Sequence, residues 1–365
     1  MNDGGDAPEP RPSGRTFEAR LEKRGGAVEC LRIPSLAFGM VASLRSELYE
    51  SGLLTAHRAG VPVFSVGNIS TGGTGKTPFV VWLARELCQR GRRVGILSRG
   101  YGAEPGAQND EAVMLSRCLP DVPHVQDRDR VRGARVLVER GTDALVLDDG
   151  FQHRRIARDV DVVLVDATRP WGLPRDAGGK SVRALLPRGL LREAPHALAR
   201  ASAIVLTRVD QVPAAWLAQL EDEIEALAPG VPRVHAVHAA RALQKSDGTR
   251  EPLSSLAGRE VELVSGIGNP EAFARSVKSL GAIVASERRF ADHHAFTKSD
   301  LEPLPRNGRL LLCTAKDQVK LAALGIACAA LEIELELRSS GLALEALIDA
   351  ALHAEAPSRT QGRLP

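Results

Sequence analysis

Short apolar runs alternate with helical patterns along the first two thirds of this chain. The runs are rich in Val, Ile and Leu, and runs this continuous are typical of parallel strands covered on both faces. The segments between them repeat apolar residues at helical spacing. This alternation predicts an α/β fold, a mostly parallel sheet sandwiched by helices. The predicted strands are 61–66, 92–98, 143–149, 161–167 and 202–208, and the clearest helices are 77–91 and 131–141.

The pattern changes after about residue 235. A less regular stretch contains the turn sequence KSDGT, and strand–helix alternation then resumes in 261–284 and 309–324. We therefore expect a core domain at 61–235 and a second, smaller α/β domain at 236–350. Residues 1–15 are rich in Gly, Pro and charge and are expected to be disordered, and 351–365 is expected to be a loose tail.

A separate amphipathic helix is predicted in the N-terminal region 16–60, with Ser35 as its cap and Gly52 at its end. Its longest apolar stretch, 33–44, is shorter than the roughly 20 residues of a membrane span. Two interpretations stay open: a helix lying in a membrane interface, and a helix packed on its own domain. The apolar stripe consists of Ile33, Leu36, Ala37, Met40, Val41, Leu44 and Leu48.

Composition narrows the function classes. The net charge of +3 and an aromatic content of 4% argue against a nucleic-acid partner, since both charge and stacking surface are scarce. The 5 cysteines are scattered and form no C-x-x-C pair. That pattern suits a reducing, cytosol-facing location and argues against a disulfide scaffold or a zinc site. We expect no secretory signal, because no apolar segment precedes a small-residue cleavage site.

A phosphate-binding loop follows the first strand. The sequence STGGTGKT fits the P-loop pattern except that Ser70 stands at the first glycine position. Backbone N–H groups in such a loop cradle phosphates, Lys76 would neutralise them, and the Thr77 hydroxyl would bind Mg²⁺. The predicted nucleotide-binding residues are Ser70, Thr71, Gly72, Gly73, Thr74, Gly75, Lys76 and Thr77.

Two adjacent carboxylates end the strand at 143–149. Asp148 and Asp149 sit where open α/β sheets bind ligands, so one is expected to bind the metal and the other to organise water or substrate. Asp166 is a weaker alternative.

Other polar motifs have two readings each. Asp110, in NDE, is interpreted either as a helix cap or as a polar group in a loop near the site. Asp292, His293 and His294 lie together, but without the i, i+4 spacing of helical zinc ligands. The run 127–135 is either a site for an anionic headgroup or a solvated helix face.

Seven stretches in this order resemble the tetraacyldisaccharide 4'-kinases of lipid A synthesis. They cover about residues 20 to 335 and read VGNISTGGTGKTP, LSRGYG, NDE, LDDGFQHRRIARDVDVVLVDA, LLPRGLLREAP, FADHHAF and TAKDQVK. The resemblance implies ATP-dependent phosphorylation of the 4'-hydroxyl of a tetraacylated glucosamine disaccharide 1-phosphate, forming lipid IVA. It also implies that the protein acts at the cytoplasmic face of the inner membrane and has no obligate protein partner. A four-chain lipid stays in the membrane, which favours the interfacial interpretation of the N-terminal helix.

The resemblance also implies residue roles. Lys76 and Thr77 match the phosphate and Mg²⁺ ligands, and Asp148 and Asp149 match the acidic pair near the metal. Asp110 matches the residue that deprotonates the acceptor hydroxyl, although Asn109 and Ala112 replace the Gly and Pro of the family string. The remaining matches are His293, as the partner of Asp110, and Arg192 and Glu193, near the nucleotide.

A regulatory GTPase or a metallochaperone-like NTPase is the alternative. The string LTRVDQV places Asp210 where such proteins read guanine, but Arg208 replaces the usual lysine.

Overall fold

The computed structural model describes residues 20–23, 25–100, 110–176, 178–292, 294–302, 308–338 and 341–354. Its α-helices are α1 (Arg32–Glu50), α2 (Lys76–Gln89), α3 (Asp110–Cys118), α4 (Arg130–Glu139), α5 (Ala214–Leu227), α6 (Pro270–Ser279), α7 (Ala315–Ala323) and α8 (Gly341–His353). Its strands are β1 (Val63–Gly67), β2 (Val94–Ser98), β3 (His124–Gln126), β4 (Ala144–Asp148), β5 (Val160–Asp166), β6 (Ala203–Thr207), β7 (Arg233–Lys245), β8 (Arg250–Glu251), β9 (Glu260–Ser265), β10 (Ile283–Arg289), β11 (Leu310–Thr314) and β12 (Ala329–Leu337).

The described strands form one 12-stranded sheet in the order β10-β9-β11-β12-β7-β6-β5-β1-β4-β2-β3, with β8 beside β7. Every pairing is parallel except those of β7 with β12 and with β8. Strand β1 is flanked by β4 and β5, and all three are completely buried. The carboxyl ends of these strands therefore meet at one edge, which is where an open parallel sheet places its ligand.

The sheet runs without a break through the predicted domain boundary at 235/236. Strand β7 pairs in parallel with β6 and antiparallel with β12 over most of its length. The middle of β7 contains the polar residues His238, Arg241 and Gln244, so its sequence lacks the apolar run that would have predicted a strand. Helix α8 then returns to pack Leu344 and Ile348 into the core around β1. It also extends to His353, beyond the predicted start of the tail.

Helix α1 differs from its prediction at its start. It begins at Arg32, and Ser35 lies inside it, so Ser35 is not the cap. Ser35 is also the one buried residue of α1, whereas Ile33, Met40 and Val41 are each about 70% exposed or more. Helix α1 therefore contacts its own domain along one side, through Ser35 among others, while its apolar residues stay exposed, which favours the interfacial interpretation.

The length argument also changes. The continuous helical segment Ala27–Glu50 has 24 residues and a mean hydropathy of 1.4 in its most apolar window, enough by length and composition to cross a membrane. The chain thus combines an α/β fold with one exposed apolar helix, an arrangement compatible with peripheral membrane association.

Candidate active site

The loop between β1 and α2 has the geometry of a phosphate cradle. Gly75 has φ +89°, and a Cβ there would lie 2.4 Å from Nε2 of His238, so only glycine fits. Burial lowers the pKa of His238 to about 3, which keeps this imidazole neutral beside the loop. Ser70 is buried and forms an isolated antiparallel bridge with Leu191. Because Ser70 does not adopt a left-handed conformation, serine serves there as well as glycine.

Lys76 opens α2 and reaches across the loop. Its Nζ donates to Oδ1 of Asn68 at 3.2 Å and lies 3.4 Å from Oδ1 of Asp149. Asn68 in turn donates from Nδ2 to Oγ1 of Thr74 at 3.1 Å. Asn68 therefore aims the lysine, a role missing from the predicted site. Its place at the end of β1, inside the VGN string, was the available signal.

Asp149 is held as a carboxylate. Arg192 contacts both of its oxygens, at 2.9 and 2.8 Å. Burial opposes ionisation of Asp149, but Lys76 and Arg192 outweigh it and hold its pKa well below its usual range. Its backbone has φ +53°, a strained conformation for a residue other than glycine.

Asp148 lies in a different environment. It is 3% exposed, and its Oδ1 has no hydrogen-bond partner among the described residues. Burial and the nearby Glu111 raise its pKa to about 7. Arg130 is also buried and donates to the Asp148 backbone carbonyl at 2.8 Å, not to its carboxylate.

A buried carboxylate oxygen that has no hydrogen-bond partner fits a divalent cation, which would supply a compensating positive charge. Asp148 and Thr77 line the same cavity and are the residues that would hold Mg²⁺. The described residues contain no group of three His, Cys, Asp or Glu side chains suited to a metal ion. Mg²⁺ here would therefore take its other ligands from phosphates and water, as it commonly does.

One cavity of about 1020 Å³ joins the phosphate loop to helix α1. Lys76, Asp148 and Asp149 line one part of it, and Phe38 and Val41 of α1 line another. An apolar helix face and a phosphate site thus open onto the same space. Of the predicted nucleotide-binding residues, the following line this cavity: Thr71, Gly72, Gly73, Thr74, Gly75, Lys76, Thr77, Arg192 and Glu193.

Glu193 braces neighbouring groups. It accepts hydrogen bonds from Gln152 and Arg200, each at 2.9 Å, and Gln152 also donates to the Asn68 carbonyl. Its contacts are with the scaffold under the loop, which suits the predicted supporting role.

The side chains of the predicted acid–base pair, Asp110 and His293, lie outside the part of the chain that the structure describes. The backbone of Asp110 begins α3. Their neighbours Glu111 and Asp292 line the same cavity. His294 is bonded to Asp300 at 3.1 Å and stacks on Phe290 with ring centroids 4.6 Å apart, so it is structural.

The guanine-reading string has another use. Arg208 donates to the Gly73 carbonyl at 3.0 Å and forms an ion pair with Asp166, so it supports the phosphate loop. Asp166, the weaker of the predicted metal ligands, is therefore already bonded: Arg208 pairs with it, and Asn269 donates to it at 2.8 Å. Asp210 lines a second cavity, of about 650 Å³.

The run 127–135 is largely structural. Arg130 is buried under the acidic strand, and Arg132 pairs with Asp127 at 2.7 Å on the exposed side. Arg128 and Arg130 are the members of this run that line the cavity at α1.

Comparison with known proteins identifies the family. A family model described as "Tetraacyldisaccharide-1-P 4'-kinase" matches residues 27–353. The chain belongs to the tetraacyldisaccharide 4'-kinase family. A tetraacyldisaccharide 4'-kinase of Anaeromyxobacter sp. (strain K) is 41% identical over 365 residues, covering 92% of this chain and 93% of that protein. The corresponding kinase of Syntrophus aciditrophicus is 36% identical over 339 residues, covering 84% and 88%.

A solved kinase structure has the same fold. LpxK from Aquifex aeolicus, crystallised in complex with ATP, superposes with a TM-score of 0.70 at 30% identity, covering 90% of this chain and all of that one. The predicted α/β fold class and the resemblance to the tetraacyldisaccharide 4'-kinases are confirmed, and the regulatory NTPase alternative is not favoured.

Proposed function

We infer that this chain transfers the γ-phosphate of ATP to the 4'-hydroxyl of a tetraacylated glucosamine disaccharide 1-phosphate. The observation that carries the proposal is the single cavity that opens onto both the phosphate loop and the exposed apolar face of α1. A soluble acceptor would need no such face. Membership of the tetraacyldisaccharide 4'-kinase family supports the same acceptor.

Charge neutralisation is the first task of the site, because phosphoryl transfer spreads negative charge over the transferred group. Residues 72–76 line the cavity, where their backbone N–H groups and the Lys76 ammonium would face the phosphates of ATP. Thr77 and Asp148 would hold Mg²⁺, which would supply further charge neutralisation. Asp149, ionised and fixed by Arg192, keeps Lys76 in place and can orient water or substrate.

Proton removal from the acceptor falls to Asp110, with His293 as its partner. An aspartate of ordinary pKa is a weak base, so a histidine that shares the proton would make it effective. The two residues come from the proposed core, 61–235, and the proposed smaller domain, 236–350. A pair assembled only when these close on each other would limit transfer to water.

Asp110→Ala and His293→Ala are each expected to lower kcat by about 10²-fold, the size of a lost acid–base contribution. Because neither residue belongs to the phosphate loop, ATP affinity should stay within about twofold. Turnover kinetics and nucleotide titration check both values. Near wild-type lipid phosphorylation by either variant would show that the pair is wrongly assigned.

Helix α1 is proposed to lie in the membrane interface at the cytoplasmic face. Two attachments along its length favour this over a span: Ser35 donates to Leu185, and Arg154 donates to Ser46 and Glu50. A helix fixed to the protein near both ends cannot cross a bilayer without carrying polar backbone of the kinase into it.

Replacing Leu36 and Met40 together with glutamate should weaken vesicle binding at least tenfold, because both side chains are more than 60% exposed and would enter the acyl region. Sedimentation with anionic lipid vesicles measures the change. The same two residues changed to Ile should bind as wild type. Equal vesicle binding by the glutamate variant would contradict the interfacial placement.

The direct test of function is transfer of labelled γ-phosphate to the disaccharide 1-phosphate in detergent, with ATP and GTP compared. Lipid phosphorylation from ATP is expected. Nucleotide hydrolysis without lipid labelling would contradict the proposal.

A further inference from the structure

One loop touches both the apolar helix and the phosphate site. This segment, Leu185–Glu193, is called the connecting loop below. On the helix side, the Ser35 hydroxyl donates to the Leu185 carbonyl at 2.5 Å. One turn later, a Cβ on Gly39 would lie 2.6 Å from Cδ1 of Leu185. Helix α1 therefore approaches the loop most closely at two residues whose small side chains permit the approach.

The other side of the connecting loop supports the P-loop. The Leu190 carbonyl accepts hydrogen bonds from the backbone N–H of Thr71 at 2.7 Å and from its hydroxyl at 3.2 Å. The backbone N–H of Arg192 donates to the Ile69 carbonyl at 2.7 Å. The Arg192 side chain then reaches Asp149. The start of the P-loop and one catalytic carboxylate thus take their positions from this loop.

The middle of the connecting loop is fixed from within and from behind. The backbone N–H of Gly189 donates to the Leu185 carbonyl at 2.9 Å, which closes the turn. Arg188 is 1% exposed and donates to the carbonyls of Leu21 and Lys23, at 2.8 and 2.9 Å, and to Glu29 at 2.7 Å. A buried guanidinium bonded on several sides resists displacement, because moving it would leave a buried charge unpaired.

The carboxyl-terminal half of α1 is attached to a second catalytic segment. Arg154 donates to the Ser46 carbonyl at 3.0 Å, to its hydroxyl at 2.7 Å and to Glu50 at 2.9 Å. Arg154 lies five residues after Asp149 in the chain. Both attachments of the helix therefore lead to segments that carry groups of the phosphate site.

We propose that Ser35 and Gly39 are positioning residues for the reaction. Through the connecting loop they set the depth and angle of the lipid-facing helix relative to the P-loop, so that an acceptor hydroxyl at the membrane surface meets the γ-phosphate in line. Neither residue touches ATP or the reacting atoms. Errors of about 1 Å in such alignment lower turnover by about 10²-fold. This inference rests on the proposed function, because it requires a membrane-held acceptor.

The test compares Gly39→Val with Ala37→Val, which adds the same kind of branched side chain at an exposed position of the same helix. The added carbons at residue 39 must push α1 away from Leu185. We expect kcat for the lipid in vesicles to fall at least tenfold in Gly39→Val and less than twofold in Ala37→Val. Vesicle affinity and ATP affinity should stay within twofold in both.

A second acceptor separates positioning from general damage. On the same disaccharide 1-phosphate carrying short acyl chains, in solution, the Gly39→Val enzyme should work within twofold of wild type, because that acceptor does not depend on the helix for its depth. Ser35→Ala removes one hydroxyl and should show the same selective loss, about threefold or more, while Ser43→Ala should not.

Three outcomes would overturn the positioning role. They are wild-type turnover of vesicle lipid by both Gly39→Val and Ser35→Ala, equal losses on the two acceptors, and a loss that follows weaker vesicle binding. Failure of the proposed function would look different, since wild-type enzyme would then phosphorylate neither acceptor.

Discussion

Lys76→Ala should reduce kcat/KM for lipid phosphorylation by 10²- to 10³-fold or more, the size of the loss when one preorganised group leaves a transition state. Lys76 carries the positive charge of the P-loop, and its Nζ is held by Asn68 and Asp149. Without it, developing charge on the transferred phosphoryl group loses its nearest side-chain cation, and Asp149 loses one of two partners. Steady-state kinetics and ATP titration measure the two effects.

Two control variants sharpen this prediction. Lys180 is exposed and outside the site, so Lys180→Ala should keep full activity. Lys76→Arg keeps the charge but changes its shape, and should not restore activity, since a planar guanidinium does not replace a compact ammonium at a single point. Activity of Lys76→Ala within tenfold of wild type would mean that the phosphate is bound elsewhere.

Asp148→Asn should lower kcat by 10²- to 10³-fold and weaken Mg²⁺ dependence, while leaving the fold as stable as wild type or more so. The Asp148 side chain is buried and its Oδ1 has no hydrogen-bond partner among the described residues, so this carboxylate suits a divalent cation. Asparagine keeps the shape and removes the charge. Activity measured against Mg²⁺ concentration tests the expected loss of metal dependence, and thermal unfolding tests the expected stability.

The direction of the stability effect follows from the pKa of Asp148. Burial raises it from 3.8 to about 7, so the folded chain binds the proton more tightly than the unfolded chain. The free energy of unfolding therefore falls as pH rises from 3.8 to about 7 and stays reduced above it. In Asp148→Asn this pH-dependent fall in the free energy of unfolding should be absent, because asparagine does not ionise. Asp121→Asn, at an exposed position, should change neither activity nor stability. Full Mg²⁺-dependent activity in Asp148→Asn would contradict the metal assignment.

The strand–helix order and the phosphate loop were predictable because both are local patterns. The strands β1, β2, β4, β5 and β6 lie in continuous apolar runs, and a P-loop is fixed by eight consecutive residues. The acidic pair Asp148 and Asp149 was predictable from its place at the end of a strand. The family resemblance added the catalytic roles of Asp110 and His293, which no spacing rule connects to the loop.

Three features of the fold and the site depend on tertiary contacts, and local sequence patterns could not predict them. Strand β7 obtains its order from pairing with β6 and β12, so its mixed sequence concealed it. Ser35 resembled a helix cap, but its hydroxyl bonds to Leu185, 150 residues away. Asp148 and Asp149 are adjacent in sequence, yet only the fold shows that Arg192 and Lys76 neutralise Asp149, while Oδ1 of Asp148 has no hydrogen-bond partner among the described residues.

The central claim is most directly tested by locating the new phosphate on the product. The full-length enzyme, ATP, Mg²⁺ and vesicles containing the tetraacylated disaccharide 1-phosphate are incubated, and the lipid product is examined by phosphorus and proton NMR. A second phosphomonoester, coupled to the proton at the 4' carbon, is expected in wild-type reactions and not in those of Lys76→Ala. Inorganic phosphate as the sole product, or a phosphate at another hydroxyl, would contradict it.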